Sequence, residues 1–310
     1  MNPKNKKGID IGDHNGNFDL AQAKAQGYEF VMIKVGYGSD FKSQDDSQFE
    51  ANVRKAEELG MPWGAWIYSY ATNATEAKSE AYHMLRMTKG KKPTMPIAID
   101  MEDADNYKYN HGALNRDTVS TVCKVFIEEI RKAGYYPMLY TGYSMKPFLT
   151  NEVLNMADLW WAQWSSKLDY TADNVGLWQY GGETNYIDSP YIDGIRGAID
   201  KDMCYKDYPS IIKNGNYNGW SGGSGGGSGT GGKEVYCNIS MPYLAKSGYI
   251  STGEEVKTVQ LLLNAMHYGD LEVDGIFGDA TDEAVKKFQK SRKLDQDGIV
   301  GADTWRYLLK

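Results

Sequence analysis

Long apolar runs and a secretory signal are both missing from this sequence of 310 residues. No apolar segment approaches the roughly 20 residues that a membrane helix needs. The opening residues, MNPKNKKGID, are basic but lack the apolar centre of a secretory leader. We therefore expect no membrane partner, and we expect the chain to remain in the cytoplasm of the cell that makes it.

A basic surface and metal-binding spacings are lacking as well. The net charge is -7, with 34 Lys and Arg against 41 Asp and Glu, and no basic stripe could neutralise a phosphate backbone. This argues against nucleic acid as the main partner. The histidines show no HExxH or other ligand spacing, so we predict no metal site and no cofactor. There are four of them: His14, His83, His111 and His267.

Cysteine is scarce, whereas aromatic residues are plentiful. The three cysteines are odd in number and far apart, which predicts reduced thiols: Cys123, Cys204 and Cys237. The 8 Trp and 23 Tyr exceed what packing usually needs. Such flat amphipathic rings suit sugar faces as well as hydrophobic cores. The sequence makes no prediction of the oligomeric state.

A segment of small residues divides the chain. Between Trp220 and Lys233 runs SGGSGGGSGTGG, which has no side chain able to bury surface and is typical of a flexible linker. The sequence thus predicts one domain over residues 1–218, a linker over 219–233 and a second domain over 234–310.

The first domain alternates β-rich runs with helical patterns. Five βα units are followed by three strands, LWWAQW, GLWQYG and GAIDKDMCY, without room for full crossover helices. Eight strands in this order predict an α/β fold, a TIM-like barrel that has lost its last helices. An open doubly wound sheet is the alternative, but the segment after the first strand, GDHNGNFD, has no GxGxxG loop.

The second domain contains an internal repeat. VDGIFGDATDEAV and QDGIVGADTWRYL align at a constant offset of 23, which pairs Asp274 with Asp297 and Thr281 with Thr304. In each copy a DG turn precedes a helix that begins near the threonine. We therefore predict a small, mostly helical domain in which both aspartates form turns.

Acidic residues lie where the strands of the barrel end. In MPIAIDMEDAD, Asp100 and Glu102 are two residues apart, so their side chains point the same way from the fourth strand. Asp10 lies on the first strand and Asp200 on the last, and closure of the barrel makes those strands neighbours. Four acids at one mouth predict the paired-carboxylate chemistry that cleaves glycosidic bonds.

Aromatic residues near the same strand ends are candidates for stacking on sugars. About half of them could equally be ordinary barrel filling. The candidates are Tyr68, Tyr70, Tyr140, Trp164, Trp178 and Tyr180.

Six segments resemble, in order and spacing, the family 25 glycoside hydrolases, the lysozyme-type muramidases of bacteria and phages: GIDIGDHNG, IAIDMED, YTGYS, LWWAQW, LWQYG and AIDKD. The resemblance implies hydrolysis of the β-1,4 bond between N-acetylmuramic acid and N-acetylglucosamine in peptidoglycan. It makes Glu102 the general acid/base and Asp100 either the holder of the substrate N-acetyl group or the nucleophile. Asp10 and Asp200 would orient substrate and tune Glu102. The opening motif departs from the family pattern at Gly12, where Ser is frequent.

The second domain resembles the peptidoglycan-binding modules of cell-wall hydrolases, through the paired DGxxG repeats, KKFQ and Thr304-Trp305. This implies anchoring to the wall, with bacterial peptidoglycan as the partner. Together the two resemblances suggest an endolysin or autolysin. Without a leader, a phage holin would release it from the host cytoplasm. Two alternatives are a non-catalytic wall-binding protein and a wall amidase or endopeptidase, which would need zinc or a Cys/His pair.

Overall fold

A computed structural model describes residues 5–220, 244–246 and 251–309. The chain divides into two compact units, 1–231 and 232–310. Most of the predicted linker, 219–233, lies outside the described residues, and so does Cys237. In the part of the chain that the structure describes, no helix is both long enough and apolar enough to span a bilayer.

The first unit contains a closed eight-stranded barrel. Strands adjacent in sequence are adjacent in the barrel, and the last strand closes onto the first. The first seven strands are parallel, whereas the eighth is antiparallel to both neighbours. The predicted barrel is thereby confirmed. Its strands are β1 (Lys6–Ile11), β2 (Phe30–Tyr37), β3 (Trp63–Tyr68), β4 (Ile97–Asp100), β5 (Pro137–Gly142), β6 (Asp158–Ala162), β7 (Val175–Gly181) and β8 (Asp200–Cys204).

Helices cover the outside of the barrel and its lower end. Several begin at a side chain that accepts a hydrogen bond from the N–H three residues later, such as Asn73 and Asn115. The last helix of this unit was not predicted; its Tyr208 hydroxyl donates to Asp158 at the start of β6 at 2.9 Å. The helices are α1 (Leu20–Ala25), α2 (Phe49–Glu58), α3 (Ala74–Thr88), α4 (Tyr107–Asn110), α5 (Arg116–Lys132), α6 (Asn151–Leu154) and α7 (Tyr208–Asn214).

Alternation along the strands separates two cores. Outward residues such as Ile9 and Ile99 pack under the helices. Inward residues such as Met32 and Trp160 fill the barrel, and Tyr208 and Ile212 of α7 join them. Apolar and aromatic side chains fill most of the lower barrel, with Asp158 among them at the start of β6. The upper end, where β1–β7 finish, is where a barrel usually carries its functional polar groups.

The second unit repeats one hydrogen-bonding arrangement. Gln260 Nε2 donates to Asp274 at 2.8 Å, and Gln289 Nε2 donates to Asp297 at the same distance. Each aspartate also accepts the N–H two residues later, as expected of a turn former. The DG repeats thus brace three helices, α8 (Glu254–Ala265), α9 (Asp279–Ser291) and α10 (Ala302–Leu308).

Candidate active site

Four carboxyl groups meet at the upper end of the barrel, called here the mouth. Asp100 is the last residue of β4, and Glu102 follows two residues later, while Met101 between them is buried in the outer core. Asp10 of β1 and Asp200 of β8 are direct register partners. Asp10 and Asp100 are each only 4% exposed, whereas Glu102 and Asp200 are half-buried. The structure brings together all four acids that the sequence had singled out.

Burial and mutual repulsion raise the pKa values of these acids. Desolvation, followed by Glu102, raises the pKa of Asp100 well above its usual range. Burial and then Asp200 raise the pKa of Glu102, and the Lys108 ammonium group lowers it. Burial and the nearby Glu183 raise the pKa of Asp200 to about 6. A carboxyl group that keeps its proton towards neutral pH can serve as a general acid.

Gln179 of β7 connects the acids to the aromatic residues of the mouth. Its Nε2 donates to Asp10 Oδ2 at 2.9 Å. Its Oε1 accepts from the Tyr140 hydroxyl at 2.9 Å and from Trp164 Nε1 at 3.0 Å. Sequence reasoning missed Gln179, although its place between two outward-facing aromatic residues on β7 was a signal that it points inward.

Four of the six predicted aromatic residues lie at the mouth. Burial and then Glu102 raise the pKa of Tyr68, and Tyr70 packs against Tyr68 with ring centroids 4.9 Å apart. Tyr140 and Trp164 share the amide oxygen of Gln179. Trp164 is 41% exposed, which leaves it available to a ligand.

The structure does not bring Trp178 and Tyr180 to the mouth. Trp178 Nε1 donates to the carbonyl of Gln163 at 2.8 Å, and the buried Tyr180 hydroxyl donates to Asp188 at 3.1 Å. Both side chains lie on the face of β7 opposite to Gln179. The expectation rested on their position near a strand end, but it is Gln179 between them that points inward, and neighbours along a strand point to opposite sides.

Further tyrosines extend the aromatic surface beyond the prediction. Tyr37, at the end of β2, is 40% exposed and packs edge-on against Tyr70 at 5.7 Å. Tyr107 of α4 packs edge-on against Tyr70 at 4.8 Å. We call Tyr37, Tyr68, Tyr70 and Tyr107 the tyrosine shelf. The position of Tyr37 at a strand end was the signal that sequence reasoning overlooked.

A buried carboxyl group, Glu80, and a buried ammonium group, Lys108, support the backbone beneath the tyrosine shelf. Glu80 of α3 is fully buried and accepts hydrogen bonds from Ser69 Oγ at 2.8 Å and from the Tyr70 and Ala71 N–H groups. Lys108 of α4 is 1% exposed and donates to the Ser69 carbonyl. Burial raises the pKa of Glu80 to about 7, although Ser69 and Lys108 act against it.

Two residues beside Asp200 were also missed. A Cβ at Gly182 would collide with Asp200 Oδ1 and lie 2.9 Å from the Trp164 ring, so this glycine makes room for both. Asp202 is fully buried and accepts from Trp160 Nε1 at 2.7 Å. Its spacing of two from Asp200 repeats that of Asp100 and Glu102 and could have identified it.

The described residues offer neither a metal site nor a reactive thiol. Within residues 5–220, 244–246 and 251–309, no group of three or more His, Cys, Asp or Glu could hold a metal ion. Cys123 and Cys204 are buried free thiols, and burial raises the pKa of Cys204 to about 12. A thiol that resists ionisation is a poor nucleophile.

Both the barrel unit and the second unit match known protein families. The model of "Glycosyl hydrolases family 25" matches residues 9–189, and the model of a peptidoglycan binding domain matches residues 252–308. The chain is 27% identical to an autolytic lysozyme of Clostridium acetobutylicum over 96% of its length and 77% of the relative. It is 26% identical to a lysozyme of Streptococcus phage Cp-7, over 63% of its own length and 50% of that protein.

Among solved structures, a family 25 glycosyl hydrolase from Bacillus anthracis superimposes with a TM-score of 0.55 at 24% identity, covering 69% of this chain and 93% of that one. The CTP1L endolysin gives a TM-score of 0.56 at 21% identity, covering 67% and 69%. These two structures support the barrel fold. Because the family model covers more than half of the sequence, this chain belongs to the glycosyl hydrolases of family 25.

Proposed function

We propose that this protein is a lysozyme that hydrolyses the β-1,4 bond between N-acetylmuramic acid and N-acetylglucosamine in bacterial peptidoglycan. The observation that carries the proposal is the pair Asp100 and Glu102 at the end of β4, with the pKa of Glu102 raised by burial and by Asp200. Family membership supports glycoside hydrolysis. The names of the relatives, an autolytic lysozyme and a phage lysozyme, support the substrate.

Glu102 acts first as the general acid in this mechanism. Burial favours its neutral form, so its proton is available for the oxygen of the leaving sugar as the glycosidic bond breaks. The resulting carboxylate then removes a proton from the attacking water. Its half-buried position allows both a shielded proton and contact with substrate.

Asp100 stabilises the positive charge that develops on the sugar. It does so either by holding the substrate N-acetyl group, which then attacks the anomeric carbon, or by attacking that carbon itself. Its Oδ1 is buried without a hydrogen-bond partner among the described residues, which leaves it free for such a contact. Asp10 and Asp200 orient substrate and raise the pKa of their neighbours.

The aromatic residues of the mouth bind the glycan. The exposed Trp164 ring and the tyrosine shelf offer flat faces on which sugar rings can stack. The second unit binds the wall itself, in keeping with its match to a peptidoglycan binding domain. Wall anchoring raises the effective concentration of the catalytic unit at its substrate.

The test of the reaction is the identity of the new sugar end. Purified walls are digested, the products are reduced with borohydride, and the reduced sugars are identified after acid hydrolysis. Reduced muramic acid is the expected product. Reduced glucosamine would instead identify a glucosaminidase, and no new reducing end would identify a wall-binding protein without this activity.

Glu102→Gln tests the residue that carries the proposal. The amide keeps the size of the side chain but has no proton to donate, so kcat is expected to fall by at least about 100-fold. Thermal unfolding should remain close to that of the parent protein. Glu183→Gln is the matched control: it makes the same replacement at an exposed residue that raises the pKa of Asp200, and it leaves the proton of Glu102 in place, so it should lower kcat far less. Wild-type turnover by folded Glu102→Gln would remove Glu102 from the mechanism.

A further inference from the structure

Asp10 of the mouth has a second buried carboxyl group, that of Asp202, as a neighbour on the adjacent strand. Asp202 of β8 is fully buried, and its Oδ1 accepts from Trp160 Nε1 at 2.7 Å. Its Oδ2 is buried and has no hydrogen-bond partner among the described residues. Because Asp202 pairs with Gly8 and Asp200 pairs with Asp10, Asp202 and Asp10 are diagonal neighbours on β8 and β1. Two neighbouring buried carboxylates repel each other when both are ionised, and a proton on Asp10 would give Asp202 Oδ2 the hydrogen-bond donor that it lacks.

The partners of Asp10 determine which atom can carry that proton. The indole N–H of Trp164 is a donor only, so the atom of Gln179 that faces it must be the amide oxygen. The amide nitrogen of Gln179 therefore faces Asp10 and donates to its Oδ2. The other oxygen of Asp10, Oδ1, is then the atom left to carry a proton.

We propose that Asp10 and Asp202 share one proton, carried on Asp10 and donated to Asp202, and that Asp202 thereby acts as a positioning residue for the mouth. Asp202 holds Asp10, Asp10 orients the amide of Gln179, and Gln179 holds Tyr140 and Trp164. The chain of hydrogen bonds begins at the buried indole of Trp160 and ends at the exposed indole of Trp164. Apart from Trp164, each member of the chain lies on a different strand of the barrel: Trp160 on β6, Asp202 on β8, Asp10 on β1, Gln179 on β7 and Tyr140 on β5.

The shared proton also limits the negative charge in the barrel. Asp200 on β8 and Asp100 on β4 face Asp10, and both disfavour its ionisation. Burial, then Asp200 and Asp202, raise the pKa of Asp10 well above its usual range, in the direction that retains the proton. With one proton the Asp10–Asp202 pair carries a single negative charge, stabilised by the N–H groups of Gln179 and Trp160.

Asp202→Asn and Asp202→Leu test the positioning role, which rests on the proposed function. In Asp202→Asn, the amide oxygen still accepts from Trp160 and the amide nitrogen donates to ionised Asp10, so the pair keeps one negative charge. We expect kcat and KM on soluble glycan fragments to stay within about 3-fold of the parent values. In Asp202→Leu, both hydrogen bonds are lost, Gln179 and Trp164 are released, and kcat/KM should fall about 100-fold, mainly through KM.

Infrared spectroscopy tests the proton itself on the resting protein. The spectrum of the parent protein minus that of Asp202→Asn at neutral pH should show the C=O band of a carboxylic acid, because the variant leaves Asp10 ionised. Asp158→Asn is the matched control. The described partners of Asp158 are the donors Tyr136, Lys206 and Tyr208, so the same replacement there should remove no such band.

The outcomes separate this proposal from the proposed function. Absence of the carboxylic-acid band from the difference spectrum would overturn the shared proton, whatever the enzyme's activity. A folded Asp202→Asn variant that is as impaired as Asp202→Leu would overturn the positioning role, since it would assign the effect to the charge of Asp202. If the parent protein releases no reducing ends, the proposed function fails. The infrared result still shows whether Asp10 and Asp202 share a proton. If Asp202→Leu does not fold, Asp202→Asn and its spectrum carry the test.

Discussion

At the scale of single residues, the absence of a side chain at Gly182 leaves room for Asp200 and Trp164 at the mouth. A methyl group there would collide with Asp200 Oδ1 and press on the Trp164 ring. We expect Gly182→Ala to displace both groups and to lower kcat/KM on soluble glycan fragments by about 10- to 100-fold. Thermal unfolding should change little, because this contact is at the rim of the mouth and not in either core.

Gly278→Ala is the matched control for this substitution, because a Cβ at that position, in the second unit, meets no atom within 4 Å. Its kcat/KM on the same soluble fragments should equal that of the parent protein. A Gly182→Ala variant with parent activity would show that Asp200 and Trp164 tolerate displacement.

The residues of the site could be predicted from the sequence wherever strand alternation was applied. The spacing of two identifies Asp100 and Glu102 correctly as a pair at the end of β4. The same rule, applied along β7, would have exchanged Trp178 for Gln179 as the inward-facing residue. The hydrogen bonds from Gln179 to Asp10 and from Trp160 to Asp202 could not be predicted, because they join strands whose relative register is set by barrel closure.

At the scale of elements, the short helix α4 places a buried cation beside the acids of β4. Lys108 lowers the pKa of both Asp100 and Glu102. Lys108→Met removes this attraction, so both carboxyl groups should retain their protons to higher pH. We therefore expect the whole pH profile of kcat/KM to move to higher pH, with activity at the original optimum reduced about 10-fold.

The shift distinguishes an electrostatic role of Lys108 from a structural one, since lost packing alone would lower activity without moving the profile. Lys132→Met, at the exposed C-terminal end of α5, is the control and should leave the profile in place. A profile for folded Lys108→Met that coincides with that of the parent would exclude the proposed attraction.

The order of the elements followed from the sequence, whereas two of their details did not. Period-two and helical patterns predicted the βα units and the three final strands, which the barrel confirms. The antiparallel direction of β8 could not be predicted from the missing crossover helix, because β6 and β7 are parallel although no helix connects them. Helix α7 is only seven residues long, and its apolar residues are explained by packing into the barrel end.

At the scale of the whole molecule, the end of the catalytic unit is defined by contacts that follow α7. The buried Asn218 side chain donates to the Pro93 and Met95 carbonyls at 3.1 Å and accepts from the Tyr136 N–H at 2.9 Å. Trp220 Nε1 donates to the Lys92 carbonyl at 3.2 Å. A catalytic unit that ends before these residues would leave backbone groups at the lower end of the barrel without partners.

A chain ending at residue 220 should therefore retain folding and catalysis but lose its attachment to the wall. On soluble glycan fragments its kcat/KM should equal that of the full chain, because the acids, Gln179 and the tyrosine shelf all precede residue 220. On intact walls at low enzyme concentration its rate should fall by about 100-fold or more, since tethering raises the effective concentration at the substrate. Sedimentation with purified walls measures the lost binding directly.

A chain ending at residue 214 serves as the control for the boundary. It keeps all of the catalytic acids and α7 but lacks Asn218 and Trp220, so its thermal unfolding should occur at lower temperature than that of the chain ending at residue 220. Equal rates of the full chain and the 220-residue chain on intact walls would show that the second unit contributes no anchoring. The peptidoglycan binding match at residues 252–308 would then have to serve a purpose other than holding this enzyme at its substrate.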